Sequence, residues 1–200
     1  MPPTTQKRLR AAFKGTTLLR TRDLTARGFD RVQLREAVKA GLLEHAGRGL
    51  YRPPGADITE HHTLAEVAKR VPNGVICLLS ALRFHGLTTQ SPHEVWITIP
   101  HKAWHPRLDT VGLRVMRSSG AALHEGVETH VVEGVPVKIY HPAKTVADCF
   151  KFRNKIGLDV ALEALREVWR ARRVTMDELE HYARIDRVAR IMNPYLASLT

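Results

Sequence analysis

Apolar positions repeat at helical spacing near both ends of the chain and alternate by two in its middle. Leu9, Ala12 and Phe13 fall on one side of a helix predicted over residues 4–14, which Gly15 ends. After a short apolar stretch at Leu18-Leu19, Thr21 suits an N-cap and Asp23 the first turn of a short second helix over 22–27, stopped by Gly28. Asp30-Arg-Val-Gln33 has the form of a capping box, and Leu34, Ala37, Val38 and Gly41 form the buried stripe of a third helix. Residues 42–45 and 50–52 then suit two short strands around the tight turn Ala46-Gly47-Arg48-Gly49. Pro53-Pro54-Gly55 interrupts the pattern and predicts a boundary between domains 1–55 and 56–200.

Beyond the boundary, residues 57–71 suit a helix with Leu64, Val67, Ala68 and Val71 inward, and the apolar run 75–87 suits a buried helix ending at Gly86. Strands are predicted over 95–99, 113–116, 128–132 and 135–140, the last two joined by Glu133-Gly134. From Pro142 onward the pattern is helical, over 142–153, 158–171, 176–184 and 187–198, with a second capping box at Thr175-Met-Asp-Glu178. The expected fold class is α+β: an N-terminal winged helix-turn-helix followed by a mixed α/β domain with a helical C-terminus.

Charge sharpens this picture. The 200 residues carry a formal net charge of +11, and aromatics are only 6%, so aliphatic side chains build the core. Residues 1–55 hold twelve Lys/Arg against four acids, a net +8, leaving +3 for the remaining 145 residues. A basic quarter of the chain points to a polyanionic partner such as nucleic acid. The order helix, short helix, turn, helix, two-stranded ribbon suits that partner, because the short helix pins the third where it can enter a major groove.

The candidate DNA-binding set is Arg22, Arg31, Gln33, Arg35, Lys39, Arg48 and Arg52. Arg31 and Gln33 sit in the first turn of the third helix, where arginine can bridge guanine O6 and N7 and glutamine can pair with adenine. Gln33 equally suits a cap, and Arg35 with Lys39 equally suit a solvated face. Arg48 lies between two glycines that let the turn approach DNA closely, where an arginine can enter a narrow minor groove.

The run Leu24-Thr-Ala-Arg-Gly-Phe-Asp, Leu34, Gly41-Leu-Leu-Glu and Gly49-Leu-Tyr-Arg52 resembles the N-terminal winged helix of AbiEi-type antitoxins, regulators of type IV toxin–antitoxin (abortive infection) systems. Leu79-Ser-Ala-Leu82, His85-Gly-Leu87, Val95-Trp-Ile-Thr-Ile-Pro100 and Pro142-Ala-Lys-Thr-Val-Ala-Asp148 resemble segments of that family's second domain. Lys144 departs from the pattern, where arginine is expected. The resemblance implies a repressor that binds inverted repeats in its own promoter; because one winged helix reads only a few base pairs, cooperative self-association on double-stranded DNA is expected as well. The resemblance also implies a nucleotidyltransferase-like toxin antagonised without a stable complex.

Other chemistries are weaker. His61-His62 point about 100° apart on a helix, and His101 and His105 lie between prolines, so no metal and no cofactor are expected. Cys77 and Cys149 sit in apolar runs, as buried thiols of a reducing cytoplasm do, and the N-terminus lacks the apolar segment of a signal peptide. No nuclease spacing, phosphate loop or Ser/His/Asp set emerges, so no enzyme is expected. The alternatives are a DNA-associated, nuclease-like enzyme and a protein-binding adaptor built on a winged helix. Lys144, Lys151, Arg153 and Lys155 surround one predicted helix, either as a DNA-assisting surface or as a solvated face.

Overall fold

The computed structural model describes residues 3–199, which form two compact units. One comprises the chain up to Pro72 together with Arg107–Val111 and His130–Val137; the other comprises Asn73–Pro106, Gly112–Thr129 and Lys138–Thr200. The first is therefore larger than the segment 1–55 marked off by Pro53-Pro54-Gly55, because later residues complete it.

The first unit begins with α1 (Pro3–Ala12), β1 (Leu19–Arg20), α2 (Thr21–Thr25) and α3 (Arg31–Lys39). It continues with β2 (Glu44–Gly47), β3 (Leu50–Arg52) and α4 (His62–Arg70), and the three strands make a sheet of order β1-β3-β2. Leu9 and Ala12 of α1, with Phe13 just after it, meet Leu24, Phe29, Leu34, Ala37 and Leu43 in one core. The Asp30 carboxylate accepts from Gln33 N–H at 2.7 Å while Gln33 Oε1 accepts from Asp30 N–H at 3.2 Å, closing the capping box that starts α3. Two local expectations change. Leu19-Arg20 pairs with β3 as a strand, and the cap of α2 shifts to Arg20, whose N–H donates to Asp23 Oδ2, so Thr21 opens the helix.

Polar contacts hold the later segments in this unit. Thr110 donates to Glu66, and Arg70 Nη2 donates to Asp109 Oδ1 at 2.8 Å. At the turn of residues 133–134 the Glu133 carboxylate accepts from Thr17 Oγ1 (2.8 Å), Thr59 N–H (2.8 Å) and Thr59 Oγ1 (3.0 Å), with His62 Nδ1 at 2.7 Å. These partners outweigh burial, which acts in the opposite direction, and hold the Glu133 carboxyl below its usual pKa. Gly134 must be glycine: its φ is +73°, and a Cβ there would stand 1.7 Å from Gly15 O.

The second unit contains β4 (Val75–Ile76), α5 (Leu78–Phe84), β5 (Val95–Pro100), β6 (Leu113–Ser118) and α6 (Ala121–His124). Then follow β7 (Val127–Val132) and β8 (Val135–Tyr140), whose joined ends within His130–Val137 belong to the first unit, and after them α7 (Pro142–Lys151), α8 (Arg153–Ile156), α9 (Leu158–Arg170), α10 (Met176–Ile185) and α11 (Ala189–Ala197). The sheet order is β6-β5-β4-β8-β7, with β4 antiparallel to β5 and parallel to β8. The run 75–87 is thus a strand followed by a helix, where one buried helix was expected. A fully buried strand and a buried helix are equally apolar, so periodicity does not separate them. Helix α7 is buried from Pro142 through Phe150, and its Val146, Ala147 and Phe150 share a core with Leu82, Val160, Leu165 and Val168.

Candidate nucleic-acid interface

Helix α3 has two faces. Leu34 and Ala37 are buried, while Arg31, Val32, Arg35, Glu36 and Lys39 are exposed, Val32 at 59%. Three of these are cations at i, i+4 and i+8, so they line one side of the helix. Beside them lies an open groove of about 430 Å³ lined by Thr21, Arg31, Arg35, Val38, Lys39, His45 and Tyr51. His45 and Tyr51 are cross-strand partners of β2 and β3 with ring centroids 4.8 Å apart. Neither belongs to the candidate set marked out by charge and spacing. Their signal was the alternation around Leu50, which is buried and so turns its neighbour Tyr51 to the opposite face of the ribbon, where it is half-buried.

The predicted cations separate into two kinds. Arg31, Arg35 and Lys39 are exposed on α3, and Arg48 is exposed in the turn between β2 and β3. Gly49 of that turn has φ +68°, a conformation that favours glycine. Arg22 is also exposed, with its Nε 3.8 Å from Asp23 Oδ1. Arg52, by contrast, donates from Nε to Glu44 Oε2 at 2.8 Å, bracing the strand pair. Gln33 lends its carbonyl oxygen to the capping box, so a bidentate contact to adenine requires that bond to open.

Further arginines of the region serve the fold. Arg8 donates to Arg27 O and Gly28 O and lies over the Phe29 ring, Arg27 donates to Ala12 O, and Arg20 donates to Lys69 O at 2.8 Å. Behind the β2–β3 turn, a Cβ on Gly47 would meet Arg70 Nη1 at 2.9 Å. Asp109's own backbone N–H and the Arg70 guanidinium, with Arg48 adding to them, hold the Asp109 carboxyl below its usual pKa. The turn's positive charge is therefore partly answered from within this unit.

In the second unit the cluster around α7 corrects one expectation. Lys144 is fully buried, with Nζ 2.7 Å from Asp148 Oδ1 and 3.0 Å from Asp186 Oδ2, and it lies over the Tyr140 ring. Burial alone would lower the pKa of this ammonium, but Asp148 and Asp186 outweigh it and raise the pKa. Lys151 Nζ lies 3.3 Å from Asp186, and Arg153 donates to Phe150 O. Lys144 offers no charge to a DNA backbone, because two carboxylates enclose it. Burial, reinforced by Asp186 and opposed by Lys144, pushes the Asp148 carboxyl up to about 7.

Burial also raises the thiol pKa of both Cys77 and Cys149. Among the described residues no group of three His, Cys, Asp or Glu side chains could hold a metal ion. Among those residues no helix is long and apolar enough to cross a membrane.

No curated protein matches the sequence. In structure the chain is similar to the RV2827C protein from Mycobacterium tuberculosis, at 18% identity and a TM-score of 0.62 over 91% of this chain and 72% of that one. That is a likeness of fold. Residues 8–54 match the family described as transcriptional regulator, AbiEi antitoxin, and the match takes in the exposed cationic face of α3, the groove beside it and the Arg48 turn.

Proposed function

We propose that the chain is a DNA-binding transcriptional repressor and antitoxin of the AbiEi kind, in which residues 1–55 act as a winged helix-turn-helix. One observation carries this: Arg31, Arg35 and Lys39 project together from α3 beside an open groove, while neighbouring arginines are spent on the fold. In this assignment α3 enters the major groove of double-stranded DNA, Arg31 and Arg35 meet base edges, and Lys39 and Arg22 meet phosphates. The β2–β3 turn is the wing, with Arg48 toward the minor groove. Gln33 keeps its cap and Arg52 its strut.

The match over residues 8–54 supports a regulatory role over an enzymatic one. We extend that role to autoregulation of a type IV toxin–antitoxin operon in the bacterial cytoplasm. The operator is a pair of inverted repeats, since one such module reads too few base pairs to single out one promoter, and the second copy binds more readily than the first. The cognate nucleotidyltransferase-like toxin is antagonised without a stable complex.

Footprinting of the full chain on its own upstream region tests this. Two protected sites are expected. With Arg22 and Lys39 on phosphates, log affinity is expected to fall with log salt at a slope of roughly −2 per bound copy. If Arg31→Ala and Arg35→Ala both keep the wild-type sequence preference, α3 is not the reader.

A further inference from the structure

The β5–β6 connection presents an indole that the fold does not use. Trp104 is 96% exposed, whereas Trp96, eight residues earlier, is 8% exposed beneath the Arg114 guanidinium. Exposed tryptophan is ordinary on a mobile tail, but here the backbone beneath it is pinned. Arg117 Nη1 lies 2.6 Å from His101 O, 2.8 Å from Ala103 O and 3.4 Å from Pro100 O, so one guanidinium gathers three carbonyls of the loop. His101 N–H donates to Ser118 O at 3.0 Å and Ala103 N–H to Pro100 O at 2.9 Å, and Pro106 closes the loop. The indole is thus held out on a preorganised base, which reduces the ordering cost of binding.

Its surroundings select the partner. No acid occurs between Glu94 and Asp109, while Lys102 is exposed beside Trp104 and the Arg117 guanidinium sits under the loop. A planar aromatic among cations fits an anionic polymer of planar groups. Insertion into a bilayer needs a wider apolar surface than His101, Lys102, Ala103 and His105 provide. A stacked base in a duplex already has both faces covered, so the available partner is an unpaired base.

We propose that the loop of residues 101–105 binds single-stranded nucleic acid, with Trp104 stacked on an unpaired base and Lys102 against a neighbouring phosphate. This is a second nucleic-acid contact, independent of the role assigned to α3. It would let the protein hold a strand opened during transcription as well as a closed duplex.

Fluorescence anisotropy of labelled oligothymidine, titrated with the full chain, tests it. Trp104→Ala is expected to weaken binding roughly tenfold, within the range set by stacking on one base. Trp104→Phe keeps a stacking face and stays within a few-fold of wild type. Lys102→Ala reduces the salt slope by roughly 0.7, the single-strand value for one phosphate. Thermal melting of each variant matches wild type, because none of these side chains packs in a core. Oligothymidine binding equal in Trp104→Ala and wild type, or no binding by wild type, overturns the proposal. Binding to phosphatidylcholine–phosphatidylserine vesicles that needs Trp104, with oligothymidine binding that does not, also overturns it and assigns the loop to membranes. Loss of duplex binding in α3 variants alone leaves this loop's assignment standing, so the two proposals fail separately.

Discussion

Lys39 on α3 and Lys144 on α7 are the same ammonium on the same four-carbon stem, near the end of one helix and near the start of the other. Lys39 is exposed with Arg31 and Arg35 on its side of the helix. Lys144 is enclosed, with Asp148 one turn along its own helix and Asp186 at the end of α10. The difference lies in the helices. α3 buries one narrow stripe, so its polar side chains keep water on one side, whereas α7 is buried through nine consecutive residues. A cation on such a helix must bring its counter-charges into the core. Basic residues around a helix therefore indicate a partner only when the helix has a free face.

Substitutions can break this comparison, and the largest effect belongs to the buried lysine. Lys144→Met leaves Asp148 and Asp186 without the ammonium between them, and urea unfolding is expected to register a loss of about 3–5 kcal/mol. Unchanged stability would mean that the cluster is not the internal ion group described.

On α3 the expectation reverses. Arg35→Ala leaves stability within about 0.5 kcal/mol, while duplex affinity falls by about 1–3 kcal/mol with relaxed preference at one base position. Lys39→Ala weakens all duplex sequences alike. Competition assays on operator and scrambled DNA separate the two, and a large loss of melting temperature in either variant would erase the contrast.

Glu133 extends the lesson to an acid in a turn. Glu133→Gln removes the charge from a carboxylate that accepts from two threonines and faces His62, at an expected cost of about 1–2 kcal/mol near neutral pH. The folded pKa is depressed, so the stabilisation is full above the unfolded value and is lost as pH falls through the lower folded value. Wild type and variant should converge in acid. A gap that stays constant through that range would remove the charge from the account.

The smallest effect tests the cap. Gln33→Ala should cost about 0.5 kcal/mol of stability and leave operator preference unchanged. A change of preferred base would return Gln33 to the reading surface.

What the chain's pattern revealed follows range. The helix stripes at Leu9/Phe13 and Leu34/Ala37, the capping boxes and the Gly-Arg-Gly turn are local, and each appears where the pattern places it. The strand β4 stayed hidden inside an apolar run, since its neighbours β5 and β8 lie about twenty and sixty residues away. The His45–Tyr51 floor of the groove needs cross-strand register. Lys144's second carboxylate is forty-two residues downstream, and no spacing rule links them. Of the candidate site, the exposed face of α3 was legible, but Arg52 and Gln33 were not separable from it until their partners were seen.

The Glu133 turn bears on how the protein is made. The unit that carries α3 receives its last segment, His130–Val137, only after a long intervening stretch of the other unit. A ribosome adds about 5–20 residues per second, so roughly 3–13 seconds separate the emergence of residue 72 from that of residue 137. Through that interval Thr17, Thr59 and His62 wait for their carboxylate, and closing so long a loop is slow in itself. A nascent chain thus holds no finished copy of this unit until Val137 has been synthesised.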